Sequence, residues 1–336
     1  MKKIKRYILD RLGILKLKEE SAENIKINQN LQKQVSSLEK QVNTLRKQVY
    51  VLQCEKEELM GRVDDLDLLT VMHWNALNET ERKPRIIVSL TSFPARIDYA
   101  SNVLGNMLVQ TVRPDKVVLY LSRDQFPNEE ADLPKHLLKM KAYGVEIKWC
   151  DGDIRAYKKF IPAMKEYPDD LLIILDDDLV YAPEMVEKLY EAHKEFPNAI
   201  IASRCHEIGM DENDKIRSYK TWKKQCGHDT YRLKDDWFFT CGAGTLFPPH
   251  IFGEEIFDVD TIQKICPWAD DIWLNIHAAI NHVPIINTAA NNILTRIEAT
   301  QGNRLQDINL DQNDIQMKAV VEHYKEKLVG TIFEKL

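Results

Sequence analysis

None of the six cysteines (54, 150, 205, 226, 241 and 266) stands in a C-x-x-C pair. That spacing argues against a zinc ribbon or a dithiol redox motif and fits free thiols in a reducing compartment. No apolar run approaches the ~20 residues that span a bilayer. The first residues also lack the uninterrupted apolar segment and small-residue cleavage site of a secretory signal. The expected location is therefore cytoplasmic, at most at the inner face of the cytoplasmic membrane. Basic residues are not in excess: 46 Lys and Arg meet 52 Asp and Glu, a net charge of -6, so a nucleic-acid partner is not expected. No 20- to 50-residue repeat marks a solenoid. Neither G-x-x-x-x-G-K-[ST] nor G-x-G-x-x-G occurs, which disfavours P-loop kinases and Rossmann dehydrogenases.

What is present centres on residues 169–180, DDLLIILDDDLV. Five apolar residues, Leu171 to Leu175, are too few for a helix. Between acidic, turn-prone flanks they read as a strand buried on both faces, as in a parallel sheet. That strand delivers Asp176, Asp177 and Asp178 to its carboxyl end, where open α/β sheets bind ligands. Three adjacent carboxylates repel one another unless water or a cation neutralises them. A solvated acidic turn and a metal and phosphate site are both compatible with the pattern, and the apolarity of the strand favours the second.

Residues 1–20 carry seven Lys and Arg against three Asp and Glu. Ile4, Ile8, Leu12 and Leu15 recur at helical spacing, which suits either a peripheral contact with an anionic membrane surface or a solvated basic lead-in. Gly13 weakens the helix. Within residues 21–82 a heptad places Val35, Val42, Val49 and Val63 at one core position and Leu31, Leu38, Leu45, Leu52, Leu59 and Leu66 at the other, with Asn28 and Lys56 interrupting the first. This predicts a coiled coil that joins copies of the chain, with a parallel dimer favoured and a trimer still open. Lys83-Pro84 ends the helix. From 83 to 336, strand-like runs (86–88, 117–121, 145–149, 171–175 and 199–202) alternate with helical stretches (99–110, 133–143, 154–167 and 183–195). This rhythm predicts one α/β domain with a doubly wound, mostly parallel sheet.

Further polar groups lie beside these strands. Thr91, Ser92 and Arg96 follow the first and suit a nucleotide base or phosphate, although Ser and Thr there also cap helices. Asp151 and the pair Lys158-Lys159 follow the third, with an exposed turn and a solvated helix face as the alternative. Gly242 and Gly244 permit close backbone approach, which suits the wall of a sugar pocket. Asp270 and Asp271 open an apolar helix flanked by Trp268 and Trp273. An acid pair there is either a helix cap or a catalytic carboxylate in a carbohydrate-lined cleft. His250, His277 and His282 read as structural histidines rather than metal ligands.

In order along the chain, PRIIVSLTSFPARI (84–97), YKKFIPA (157–163), LDDDLVY (175–181), GAGTLFPP (242–249) and ADDIWL (269–274) resemble bacterial GT-A-fold, family 2-like glycosyltransferases of the capsule and surface-polysaccharide type. The resemblance spans roughly residues 84–300 and leaves the coiled coil outside. It implies a metal-dependent, inverting, hexosyltransferase-like enzyme that takes a nucleotide-sugar, expected to be a UDP-sugar, to a glycan or lipid-linked acceptor. The DxD carboxylates Asp176 and Asp178 would then hold Mn2+ or Mg2+, with Asp178 the more direct ligand and Asp177 the least important. Thr91, Ser92, Arg96, Asp151, Lys158, Lys159, Asp176 and Asp177 would face the donor. Asp271, with Asp270 beside it, would supply the base, and Gly242, Gly244, Trp268 and Trp273 would line the substrate cleft. The third metal ligand found in some members has no counterpart. Two other classes compete: a sugar-phosphate nucleotidyltransferase, disfavoured because Ser89 to Arg96 holds no glycine, and a non-catalytic nucleotide-sugar-binding coiled-coil assembly protein.

Overall fold

The computed structural model describes residues 2–11, 13, 29–35, 37–38, 41, 77–226, 232–233, 236–290, 295–297 and 305–336. The chain divides into two compact units, Met1–Val71 and Met72–Leu336. In the first, Lys2–Arg11 is a helix, and residues 29–35 are helical. Leu31, Val35 and Leu38, assigned to the heptad core, are 50 %, 53 % and 59 % exposed in the single chain. The rest of the expected coiled coil lies outside the described residues.

The second unit is built on an eight-stranded sheet. Its strands are β1 (Ile86–Thr91), β2 (Lys116–Ser122), β3 (Val145–Cys150), β4 (Leu171–Ile174), β5 (Ile200–Ala202), β6 (Arg232–Leu233), β7 (Thr245–Phe247) and β8 (Ile285–Asn287). The spatial order is β3-β2-β1-β4-β7-β5-β8-β6. Strands β3, β2, β1 and β4 pair in parallel, as do β5 and β8. β7 runs antiparallel between β4 and β5, and β6 antiparallel at the edge. This is a mostly parallel, doubly wound, Rossmann-like sheet of the GT-A type, with the acidic strand β4 at its centre.

Alternation of side chains along each strand explains why both faces are apolar. Ile86, Val88, Leu171, Ile173 and Leu175 fall in one core cluster, with helix α1 (Ile97–Leu108) and helix α3 (Met185–Glu195) covering it. Ile87, Leu172 and Ile174 fall in the other, beneath helix α2 (Ile161–Glu166) and helix α4 (Asp270–Ile280). Leu171 to Leu175 are each at most 1 % exposed. At ~1.5–3 kcal/mol per fully buried aliphatic side chain, this burial outweighs the repulsion of presenting three acids at the strand end. At the opposite end Arg85 donates to Asp170, Nη2 to Oδ2 at 2.6 Å, and fixes the register of β1 on β4.

The helix expected over 133–143 is a short α-turn, Lys135–Lys139, continued as a 3-10 turn, and the stretch 154–167 begins as a 3-10 turn, Arg155–Lys159, before α2. Pro162 near the start of α2 suits a helix beginning there rather than one running through it. Helix α5 (Leu305–His323) packs on α4. His277 is wholly buried between Trp273 and Tyr324, at ring centroid distances of 4.4 Å and 5.0 Å. Neither ring nitrogen has a hydrogen-bond partner among the described residues. Burial pulls its pKa down to about 4.

Folded His277 resists the proton that the unfolded chain accepts near 6.5, so its contribution is complete above that value and is lost as pH falls towards about 4. That gap corresponds to roughly 3 kcal/mol. His206, pulled to about 3 by burial and then by the Lys224 and Arg204 charges, adds a slope of the same sign. Thermal melts of the full chain between neutral pH and pH ~4.5 should show a steeper fall in Tm for the native sequence than for His277→Phe. Parallel curves would mean that His277 protonates freely in the fold.

Candidate active site

The site forms beyond the carboxyl end of β4, where Leu175 hands over to the three aspartates. Three neighbouring turns are aimed at it: the loop after β1, the 3-10 turn Arg155–Lys159, and the 3-10 turn Cys241–Ala243 before β7. The N-terminus of α4 completes it.

Lys159 joins the two acidic groups. Its ammonium lies 2.6 Å from Asp176 Oδ1 and 3.0 Å from Asp270 Oδ2, with the side chain only 3 % exposed. Burial alone would pull Lys159 down, but the charges of Asp176 and Asp270 reverse this and hold it well above its ordinary value. For Asp176 burial pushes upward, and Lys159 outweighs it to leave the carboxyl below its usual range. The Asp176 N–H donates to Tyr181 Oη at 2.9 Å, and Tyr181 Oη donates to the Gly242 carbonyl at 2.5 Å, so the acidic turn and the glycine turn share one hydroxyl pin.

Gly242 is a neighbour of the acid rather than a generic pocket wall. A Cβ there would fall 1.8 Å from Asp176 Oδ2, so only glycine admits this carboxylate. Gly244, at φ +98°, packs against Met185 and Ser203 and is buried; it shapes the turn and does not line a cleft.

Asp177 departs from expectation. It is 5 % exposed, accepts from Ser92 Oγ at 2.6 Å and from Arg96 Nη1 at 3.0 Å, and burial raises its pKa despite these partners. Ser92 and Arg96, expected at the nucleotide, are thus engaged with the acidic turn itself, and Arg96 also lies 3.1 Å from Asp178 Oδ2. Far from mattering least, Asp177 is the anchor that orients its neighbours. Thr91 donates to the Tyr120 carbonyl at 2.8 Å.

Other expectations also change. Lys158 turns away from Lys159's partners and pairs with Asp153 and Gln125. Asp151, 91 % exposed, pairs with Arg123 on the surface. Trp273 is wholly buried and donates Nε1–H to the Ile256 carbonyl at 3.1 Å, which makes it a core residue rather than a cleft wall. Trp268 remains half-buried, with the Arg155 guanidinium 3.6 Å from its ring centroid.

At the start of α4, Asp271 Oδ1 accepts the Cys241 N–H at 2.8 Å. Burial first, and the Asp270 charge second, raise Asp271 to about 6. Arg204, which sequence reading missed, contributes positive charge at Asp176. Its position just after β5, at the same sheet edge as the acidic motif, was the available signal. Tyr219, in a 3-10 turn, and Lys224, on the short strand Lys223–Cys226, carry no periodic pattern to flag them.

The donor set fits a hard divalent cation. Asp176 and Asp178 offer carboxylate oxygens, Asp176 Oδ2 has no donor among the described residues, and the Asp176 side chain is 42 % exposed. A second group, Cys241, Asp270 and Asp271, has ligand atoms within 4.8 Å of one another. It suits such an ion poorly: burial holds the Cys241 thiol protonated, well above its ordinary pKa, and Asp270 already faces Lys159.

Residues 151–254 match the model of the family described as Glycosyl transferase family 2. That stretch carries Lys159, Asp176 to Asp178, Arg204 and Gly242 and supports a glycosyltransferase in general. No curated protein matches the chain. Among solved structures, that of apo-UDP-glucose pyrophosphorylase is similar at 7 % identity and a TM-score of 0.39, covering 74 % of this chain and all of that one. A likeness at that level carries no functional argument.

Removing Lys159 would leave Asp270, whose side chain is 12 % exposed, without its cation. Lys159→Met should cost ~3–5 kcal/mol in urea unfolding of the full chain. Adding Asp270→Asn should restore part of that, giving a coupling of at least ~1 kcal/mol. Simple additivity of the two changes would show that the pair is not coupled.

Proposed function

We propose that this chain is a metal-dependent, inverting glycosyltransferase that moves a sugar from a nucleotide-sugar, a UDP-sugar in our reading, to a glycan or lipid-linked acceptor in surface-polysaccharide synthesis. The observation that carries the reading is Lys159, which brings the strand-end acid Asp176 and the helix-start pair Asp270-Asp271 into one site. A nucleotidyltransferase and a non-catalytic binding protein find no specific support in this arrangement.

Asp178 and Asp176 would hold Mn2+ or Mg2+, whose charge would neutralise the departing nucleoside diphosphate. Asp271 takes the proton of the acceptor hydroxyl. That oxygen attacks the anomeric carbon as the bond to the diphosphate breaks, and the configuration inverts. Lys159 holds Asp270 in place beside the base. Asp177, through Ser92 and Arg96, fixes the acidic turn.

The first unit supports a reading of assembly and placement. The open heptad residues Leu31, Val35 and Leu38 support homo-oligomers, with a dimer favoured. In the N-terminal helix Ile4, Tyr7 and Ile8 are 65 %, 66 % and 51 % exposed among Lys2, Lys3, Lys5, Arg6 and Arg11, which supports contact with an anionic inner membrane surface.

Three measurements test the reading. Asp178→Ala should abolish both transfer and the Mn2+-dependent rise in Tm with nucleotide sugars, while leaving the fold intact; an undiminished rise would remove Asp178 from the metal site. Asp271→Asn should lower kcat by ~10²–10⁴ with donor binding retained. Because the base must be deprotonated, kcat/KM of the native enzyme should climb about tenfold per pH unit below pH ~6 and level off above. A flat profile through that window would exclude Asp271 as the base.

A further inference from the structure

The small antiparallel sheet of Cys205–Glu207, Lys223–Cys226 and Trp237–Phe239 holds cations that the transfer step leaves unused. Arg204, just before its first strand, donates Nε–H to Thr240 Oγ1 at 2.6 Å. Lys224, on the second strand, rests its ammonium 3.2 Å from the Tyr219 ring centroid and donates to the Tyr219 carbonyl at 2.8 Å. Both cations are half-buried, and their partners are neutral; among the described residues neither has a carboxylate in ion-pair contact.

Alternation puts residues 204 and 206 on one face, and the Tyr219 ring brings Lys224 to it, with the His206 ring 6.0 Å and the Lys224 ammonium 3.2 Å from its centroid. The electrostatics agree, because His206 feels both Lys224 and Arg204. Lys224 is lowered to about 8 by burial first, with Arg204 opposing its charge and Asp314 and Asp271 favouring it. The pair also borders the base. Thr240, Arg204's partner, immediately precedes Cys241, whose N–H donates to Asp271, and Asp271 perturbs the Tyr219 hydroxyl.

Two like charges kept half-buried, with no carboxylate in contact with either, are costly unless an anion joins them. A guanidinium fork with an ammonium point charge suits phosphoryl oxygens. Resting on the transferase reading, we propose that Arg204 and Lys224 form a phosphoryl-binding site beside Asp271. Its ligand is either the diphosphate leaving with the nucleotide or the phosphate of a phosphate-linked acceptor.

Calorimetric binding of inorganic pyrophosphate to the full chain in EDTA, where no metal can bridge, tests this directly. The native chain should bind, Arg204→Gln and Lys224→Gln should each weaken binding about tenfold, and Lys224→Arg should retain it. Native melting curves confirm folding, and the two sites keep the test open should one variant fail to fold. No binding, or binding unchanged in both variants, overturns the site. UDP titrated in EDTA separates the sources: a matching loss in the variants assigns the site to the leaving nucleotide, and unchanged UDP binding assigns it to the acceptor phosphate. Pyrophosphate binding without transfer from any nucleotide sugar would retire the transferase reading and leave the anion site standing. Transfer with variant-insensitive pyrophosphate binding would do the reverse.

Discussion

The site depends on one buried ammonium. An isolated lysine with 3 % of its side chain exposed would lose its proton or pull in water, and Lys159 does neither because two carboxylates meet it. They come from different parts of the chain: Asp176 ends the central strand β4, and Asp270 starts α4, almost a hundred residues later. Satisfying Lys159 therefore requires the end of β4, the 3-10 turn Arg155–Lys159 and the N-terminus of α4 to converge. Removing any one would leave a buried charge uncompensated, which costs more than the ion pair returns to stability by itself. The pair is better understood as fixing geometry than as holding the fold together.

Around that point, packing and polar pins divide the work. Burial of Leu171 to Leu175 on both faces makes β4 rigid and fixes where its last residue points. Tyr181 then ties Asp176 to Gly242, and the missing Cβ of Gly242 leaves room for the carboxylate. Ser92 and Arg96 reach across from the loop after β1 to hold Asp177. A run of three aspartates is thus not three equivalent ligands. The middle one faces inward and is consumed in orienting the outer two.

Much of this could be read from residues alone, for identifiable reasons. Apolar runs of five residues bounded by acids and turns specify buried parallel strands, and the rule that ligands bind beyond strand carboxyl ends located Asp176 to Asp178. The acid pair at Asp270-Asp271 was visible because two carboxylates open an otherwise apolar helix. What could not be read was the partner of each charge. Lys158 and Lys159 are adjacent in sequence, yet one faces Asp153 and the other Asp176, because a 3-10 turn separates their directions by roughly a third of a turn. Trp273 looked like a sugar platform because aromatic rings serve cores and cleft walls alike. Arg204, Tyr219 and Lys224 come together only through pairing of the small sheet, and no local periodicity encodes that pairing.

The two acids at the head of α4 are chemically unequal despite being neighbours. Asp270 lies 3.0 Å from the Lys159 ammonium, which holds its carboxylate in place. Asp271 has no such cation in contact; it accepts one backbone N–H, sits in a desolvated position and feels the fixed charge of Asp270. Burial and the Asp270 charge favour its protonated form and outweigh the Cys241 N–H, which opposes it. Lys159 thereby bears on Asp271 in two ways: it fixes the Asp270 carboxylate beside it, and its own charge opposes the upward shift. Exchanging the two roles would require the ammonium to move to Asp271, away from the Asp176 contact that places it. The residue that joins Asp176 to the helix also leaves Asp271 as the acid of the pair with no cation in contact.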